Sequence, residues 1–398
     1  MNSQQHYILV GPVPPPVAGQ SLAFQMLVEE FEQRNLPHQI VNLSGKKGSF
    51  NVSVGKRALQ YFWILLDYVR KTSFGKKTVY ITIAQSLQGF WRDFFMIWYA
   101  KCFGHSVVCH LHGGNYGHFF DHQPGWIRRL IRATLLKADH IYVLGERLRG
   151  MFDFEPRLGP KLDVVCNGLP FILPDTIGAK KLPSNPDEPV VILYLSNLIE
   201  SKGYLHVLEA IDLLVKDGGP KVKCLFFGRF LSNVDDILVR SAEHGRELFE
   251  AFVKERGLEG IVEYNGTIQG EEKLKVLQQS HFFVLPTQYD NEGQPLSIIE
   301  AMAFGSVVIS TDYRGIPEMV IDGDSGVLVP FAEPGAIADA IKELCGEPAR
   351  YERMSLNAKK HFKANFTREA HLEKIVSLLE GTTGKRLNNR RYGRMTNV

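Results

Sequence analysis

Short apolar runs and longer amphipathic stretches alternate along the chain, and this alternation restricts the fold more than any single motif. His6–Val10 (H-Y-I-L-V), Gln39–Leu43, Thr78–Ile83, Asp139–Leu144, Leu162–Cys166, Val190–Leu195 and His281–Thr287 read as buried strands. Between and after them, Leu22–Arg34, Lys56–Lys71, Gly89–Phe103, Trp126–Lys137 and Leu372–Leu379 have the spacing of helices. Continuous apolar strands separated by helices build parallel sheets covered on both faces. The class is therefore α/β, doubly wound. A chain of 398 residues exceeds what one core usually serves, so two domains are expected. Residues 174–189, rich in Pro, Gly, Asn and Lys and without periodicity, offer the linker. The expected division is 1–175, a linker over 176–189, a second domain over 190–365, a helix within 366–383 and a basic tail over 384–398.

Composition excludes several classes. No apolar run reaches the length of a membrane span, and the N-terminus lacks the pattern of a signal peptide. The five cysteines show no C-x-x-C spacing, as expected of reduced residues in a cytoplasmic protein. Residues 1–180 hold 20 Lys and Arg against 12 Asp and Glu, whereas 181–383 hold 21 against 31. The basic half also contains the three aromatic, cationic helices at Lys56–Lys71, Gly89–Phe103 and Trp126–Lys137. Such helices either bury one face while their cations snorkel, or lie on an anionic membrane surface. The tail Lys385–Val398 carries five basic groups and no acid. It is expected to be disordered, either solvated or against anionic lipid. Nothing points to nucleic acid.

Chemistry is concentrated in Asp290–Met302, D-N-E-G-Q-P-L-S-I-I-E-A-M, directly after the apolar run His281–Thr287. Pro295 suits the first helical position, where its missing N–H costs nothing. Gly293 supplies the turn and a close backbone approach. The helix then opens with free N–H groups and the positive end of its dipole, an anion site built from Gln294, Pro295, Leu296 and Ser297. Glu292 lies in the turn. Glu300 lies about one turn inside the helix, roughly 6 Å along it from Leu296. A diphosphate on the helix start would leave its sugar near Glu292 and its ribose near Glu300, with both acids accepting hydroxyl hydrogens. Two solvated glutamates are the plain alternative.

Glu292 and Glu300 form E-x7-E within E-G-Q-P-L-S-I-I-E-A-M-A, and Gly305–Val329 follows as G-S-V-V-I-S-T-D-Y-R-G-I-P-E-M-V-I-D-G-D-S-G-V-L-V. This wording resembles the retaining glycosyltransferases of family four, closely over most of the C-terminal half and loosely over the N-terminal half. The resemblance implies the GT-B arrangement, two Rossmann-like domains facing a cleft, with the last helices crossing back onto the first domain. It implies that residues 1–175 bind the acceptor and 190–365 the nucleotide sugar.

Further residues follow from the same resemblance. Ser196–Gly203 (S-N-L-I-E-S-K-G) stands where the family carries an arginine and a lysine that neutralise the leaving diphosphate. Lys202 matches, but the arginine position is Asn197, which adds no charge. Arg229, in F-F-G-R-F after the next strand, is a candidate substitute. The backbone near Ile268, in Y-N-G-T-I-Q, corresponds to the nucleobase contact. Of the family's paired glycines after the first strand only Gly19 is present, in G-P-V-P-P-P-V-A-G-Q-S, with the helix cap expected at Gln20 or Ser21. In S-V-V-C-H-L-H-G-G-N-Y, strand alternation puts His110 and His112 on one side. His112 ends the strand where a parallel sheet offers its ligand crevice. The family places a sugar-facing histidine there, and His110 is read as structural. Asp322-Gly323-Asp324 is formally D-x-D but reads as a turn. Asp235-Asp236 gives no sign of a metal site either, so neither metal nor cofactor is expected.

The expected activity is transfer of a hexose or N-acetylhexosamine from a nucleoside diphosphate, UDP before GDP, to an acceptor hydroxyl. Glu292, Lys202 and His112 are the expected catalytic residues. The acceptor suggested by the basic, aromatic first domain is a lipid-linked glycan in surface-polysaccharide assembly, such as lipopolysaccharide, at the inner face of the plasma membrane. A nucleotide-sugar epimerase or hydrolase on the same architecture, and a catalytically silent sugar-nucleotide-binding module, are the competing readings.

Overall fold

The computed structural model describes residues 5–44, 54–173, 178–233 and 236–381, with only the backbone for 54–58. The basic tail, Asp235 and residues 174–177 of the expected linker lie outside the described residues. The chain divides into two compact units, Met1–Pro170 with Arg368–Val398, and Phe171–Thr367. The division therefore falls at Pro170/Phe171 and Thr367/Arg368, outside the span 176–189 expected for the linker.

The first unit is a six-stranded, wholly parallel sheet. Its strands are β1 (Tyr7–Gly11), β2 (His38–Asn42), β3 (Thr78–Ile83), β4 (Ser106–Leu111), β5 (His140–Val143) and β6 (Leu162–Val164), in the order β2-β1-β3-β4-β5-β6. Period-two alternation sends neighbouring side chains to opposite faces. Ile8 and Val10 join one core with Ile64 and Tyr68 of α2 (Val54–Thr72), Phe90 and Met96 of α3 (Leu87–Cys102) and Ile131 of α5 (Gly125–Leu135). Tyr7 and Leu9 join the other, with Phe24 and Phe31 of α1 (Gly19–Gln33) and Ile375, Val376 and Leu379 of α12 (Arg368–Gly381). Each of those buried aliphatic side chains contributes roughly 1.5–3 kcal/mol of burial. That fastens α12 to α1, and an Arg368–Glu29 ion pair at 2.7 Å closes the contact. The short helix α4 (Tyr116–Asp121) follows β4.

The second unit repeats the theme. Its strands are β7 (Val190–Leu195), β8 (Val222–Phe227), β9 (Val262–Tyr264), β10 (Phe282–Leu285), β11 (Val307–Thr311) and β12 (Gly326–Val329), all parallel in the order β12-β11-β10-β7-β8-β9. The helices are α6 (Tyr204–Lys216), α7 (Ala242–Glu255), α8 (Gly270–Gln279), α9 (Leu296–Ala303), α10 (Pro334–Gly346) and α11 (Pro348–Asn365). Strand order reverses between β7 and β10, which places a ligand crevice outside their C-terminal ends.

Candidate active site

Two loops leave the sheet at that reversal, 196–203 after β7 and 286–295 after β10. They are tied together by backbone. The Gln288 N–H donates to the Ser201 carbonyl at 2.7 Å. Gly203, at φ +75, caps α6 so closely against the Pro286 carbonyl that a Cβ there would lie 2.2 Å from its oxygen. Only glycine meets both demands. The K-G of the sequence is thus one device, in which the glycine seats the turn and the turn aims the lysine.

Lys202 Nζ lies 3.1 Å from Glu292 Oε2, with the two side chains 13% and 10% exposed. It also donates to Ser196 Oγ at 3.1 Å and sits 5.1 Å from the centre of the Tyr289 ring. Thr287 Oγ1 reaches Glu292 at 3.5 Å. A nearly buried cation–anion pair therefore stands in the crevice. Beside it α9 begins, with Pro295 as its extended N-cap at φ −61 and ψ 118 rather than as the first helical residue. Gln294 and Pro295 are buried, and Leu296 and Ser297 open the helix. Their N–H groups reach no backbone acceptor among the described residues. The positive end of α9 and Lys202 thus face the same turn, where Gly293 is also buried.

Glu300 is 2% exposed and pairs with Lys273 Nζ of α8 at 2.6 Å. Burial raises its pKa, and the Lys273 charge and hydrogen bond oppose that rise. Lys273 was not legible beforehand. In G-E-E-K-L-K it looks like any solvated helix lysine, and only the approach of α8 to α9 gives it a partner. Each glutamate has a lysine at hydrogen-bond distance. The lysine beside each carboxylate, at 3.1 Å from Glu292 and 2.6 Å from Glu300, is a hydrogen-bond donor to it.

The remaining residues of this unit are less engaged. Asn197 is exposed, and it is its carbonyl that accepts, from the Tyr194 hydroxyl at 3.2 Å. Arg229 is exposed and its side chain forms no ion pair among the described residues, so nothing shows it replacing the missing arginine. Its carbonyl does accept from the Leu198 N–H at 2.8 Å, beside the loop that carries Asn197. Ile268 is half-buried in the segment between β9 and α8. That segment is held by the Gly228 N–H donating to the Gly266 carbonyl at 2.7 Å. Asp322-Gly323-Asp324 is a turn: Asp322 accepts from the Leu328 N–H at 2.9 Å, and Asp324 from Asn357 at 2.7 Å.

In the first unit, Gly19 opens α1 behind an Ala18 cap. The cap thus precedes the expected Gln20 or Ser21, because Ser21 serves from inside the helix, accepting the Ala18 N–H at 2.9 Å. His112 follows β4, and its ring lies 4.0 Å from that of His110. Burial, with a smaller contribution from His371, lowers the His112 pKa to about 3, while the Asn167 side chain pulls the other way. His112 is therefore a neutral imidazole. His110, fully buried, is held by the Tyr80 hydroxyl at 2.6 Å, which fits the structural role read for it.

Two doubly wound, wholly parallel six-stranded sheets are the architecture of the GT-B fold. Residues 179–361 match the family model described as glycosyl transferases group 1. That match makes just under half of the chain similar to the group 1 glycosyl transferases, and the fold is GT-B. It is similar to the putative colanic acid biosynthesis glycosyltransferase WcaL of Salmonella typhimurium, 29% identical over 201 residues, 49% of this chain and 46% of that one. It is also similar to the amylovoran biosynthesis glycosyltransferase AmsK of Erwinia amylovora, 27% identical over 204 residues, 50% and 47% of the two chains. The chain spans about half the length of these curated relatives. In fold it is similar to sucrose-phosphate synthase of Thermosynechococcus elongatus, with TM-score 0.69 and 19% identity over 95% of this chain and 98% of that one. HepE of Anabaena in complex with UDP and glucose gives TM-score 0.68 and 14% identity, over 95% and 100%.

Proposed function

We propose that this chain is a retaining glycosyltransferase. It moves a hexose or N-acetylhexosamine from a nucleoside diphosphate, UDP ahead of GDP, to a hydroxyl of a lipid-linked glycan in surface-polysaccharide synthesis. The observation that carries the reading is the Lys202–Glu292 pair at the reversal of the second sheet, beside the start of α9. The 190–365 region binds the donor and the first domain binds the acceptor. The relatives named for colanic acid and amylovoran biosynthesis support the pathway class, and the UDP and glucose of the HepE complex support the donor class.

In this reading the diphosphate takes Glu292's place as the main partner of Lys202, with the N–H groups opening α9 on its other side. Glu292 turns to the sugar hydroxyls and Glu300 to the ribose. Ile268 offers backbone to the base. As the bond from C1 to the phosphate oxygen breaks, its electron pair goes to that oxygen, where Lys202 and the helix dipole stabilise the growing charge. The acceptor oxygen attacks C1 from the same face and its proton passes to the same phosphate oxygen, which retains configuration. Neither metal nor cofactor is needed for that neutralisation.

Membrane contact belongs to the same proposal. The inner faces of α2, α3 and α5 fill the core, while Phe62, Trp63 and Trp126 stand 58%, 59% and 62% exposed. Trp91 and Trp126 approach to 6.2 Å and join α3 to α5. Arg70, Lys71, Lys101, Arg128 and Arg129 sit on the same helices. Aromatic residues with flanking cations suit the interface of an anionic bilayer. Among the described residues no helix is long and apolar enough to cross one. The proposed location is cytoplasmic and peripheral, at the inner face of the plasma membrane.

The test is a thermal-shift panel of nucleotide sugars on wild type and Glu300→Ala. A ribose contact predicts that the variant loses the shift for every donor. A variant that keeps wild-type shifts sinks the assignment. Donor binding with no turnover by any acceptor would favour a silent binding module, for which the neutral Asn197 is the specific support.

A further inference from the structure

Arg314 has a backbone φ of +50, a left-handed conformation that a side chain disfavours. Asn35 and Ala332 share it, but Asn35 ends a helix, where asparagine is at home, and Ala332 carries no polar group. Strain at a long charged residue points to a use for the side chain.

That side chain lies against the turn bearing Glu292. The Arg314 guanidinium is 5.0 Å from the Tyr313 ring centre and 4.0 Å from Asp290 Oδ1, while the Tyr313 hydroxyl donates to the same oxygen at 3.1 Å. Sheet order explains the meeting. β10 lies between β11 and β7, so the turn after β10 is flanked by the loops following both neighbours. On the β7 side it is gripped by Lys202, through Glu292 and the Tyr289 ring. On the β11 side the grip is Tyr313 and Arg314 on Asp290, two residues before Glu292. Within the turn the Glu292 N–H donates to the Tyr289 carbonyl at 2.8 Å, which ties Glu292 to the segment that carries Asp290.

We propose that Arg314 is a positioning residue, holding the Tyr289–Glu292 turn from the β11 side so that Glu292 meets the donor sugar in register. This rests on the donor reading above. Its signature is a split between stability and activity. Arg314→Gly relieves the backbone and removes the guanidinium's share of the grip, leaving the Tyr313 hydroxyl on Asp290, whereas a residue retained for folding would lower both together.

The experiment uses the full chain, Arg314→Gly and Arg314→Lys, with three readouts: melting temperature, amide exchange over 288–294, and turnover of UDP-glucose. Arg314→Gly is expected to melt at or above the wild-type temperature. Its exchange over 288–294 should rise at least about threefold, and its kcat should fall about tenfold with KM little changed. Arg314→Lys, which keeps the cation but not the fork, should recover part of kcat. Unchanged exchange and kcat in Arg314→Gly overturn the proposal, and so does a lowered melting temperature. If wild type neither binds nor turns over UDP-glucose, that donor is what fails, and the melting and exchange results still decide the positioning claim.

Discussion

Lys202→Met leaves the Glu292 carboxylate 10% exposed with the Thr287 hydroxyl as its remaining side-chain partner among the described residues, since the cation at 3.1 Å is gone. Stranding one member of a fully buried pair costs about 3–5 kcal/mol. The two side chains keep 13% and 10% exposure and are not fully buried, so about 2–3 kcal/mol is the expected loss. For a unit of this size about 1 kcal/mol moves the midpoint by roughly 2–4 °C, which gives a drop of about 4–12 °C. The double variant Lys202→Met/Glu292→Gln removes both charges and should return to within about 1 kcal/mol of wild type, a strongly non-additive result. Calorimetry is the assay, because all four tryptophans (Trp63, Trp91, Trp98 and Trp126) belong to the first unit and their fluorescence would follow the wrong transition. Neither variant should transfer sugar. Equal midpoints for the single and double variants, or a single variant as stable as wild type, would refute the claim that this pair is desolvated.

Gly203→Ala should cost about 2 kcal/mol or more in the second unit, since it meets both a left-handed φ and the Pro286 carbonyl. Donor-induced thermal shifts should fall with it as Lys202 is displaced. His112 has a folded-state pKa of about 3, below the ordinary histidine value, so its contribution to stability is complete above about pH 6.5. It is lost as pH falls from there towards 3, by up to about 1.4 kcal/mol per pH unit. Tryptophan-monitored melts of His112→Gln between pH 7 and 5 should therefore fall less steeply than wild type, and an identical slope would contradict a buried neutral ring. Wild type should co-sediment with vesicles containing anionic lipid at low salt, and Trp63→Ser/Trp126→Ser should lose most of that binding. A wild type that ignores such vesicles removes the membrane proposal.

The alternation of apolar runs and amphipathic stretches was sufficient for the class, because buried parallel strands leave few other readings of V-V-I-L-Y-L or T-V-Y-I-T-I. The Glu292–Glu300 spacing is legible because a turn and a helix start impose local constraints that appear in a dozen residues, whereas Lys202 is legible only through the resemblance of its K-G to the family's. What escaped was non-local. Lys273 acquires meaning only because α8 packs beside α9, and Arg314 only because β11 lies next to β10. Arg229 shows the converse, since its nearness in sequence to the right strand end suggested a role its exposed side chain does not display. The expected first helical position for Pro295 was off by one residue, because its ψ of 118° makes it an extended cap. The helix-face aromatics were ambiguous in sequence because α2, α3 and α5 do both things, burying one row of side chains and exposing another.

The decisive experiment is a crystal structure with a bound nucleotide sugar. A phosphate oxygen is expected within about 3 Å of Lys202 Nζ and of the N–H groups opening α9, with ribose hydroxyls on Glu300. A nucleotide bound elsewhere, with the Lys202–Glu292 contact still at its 3.1 Å and Glu300 untouched, would contradict it.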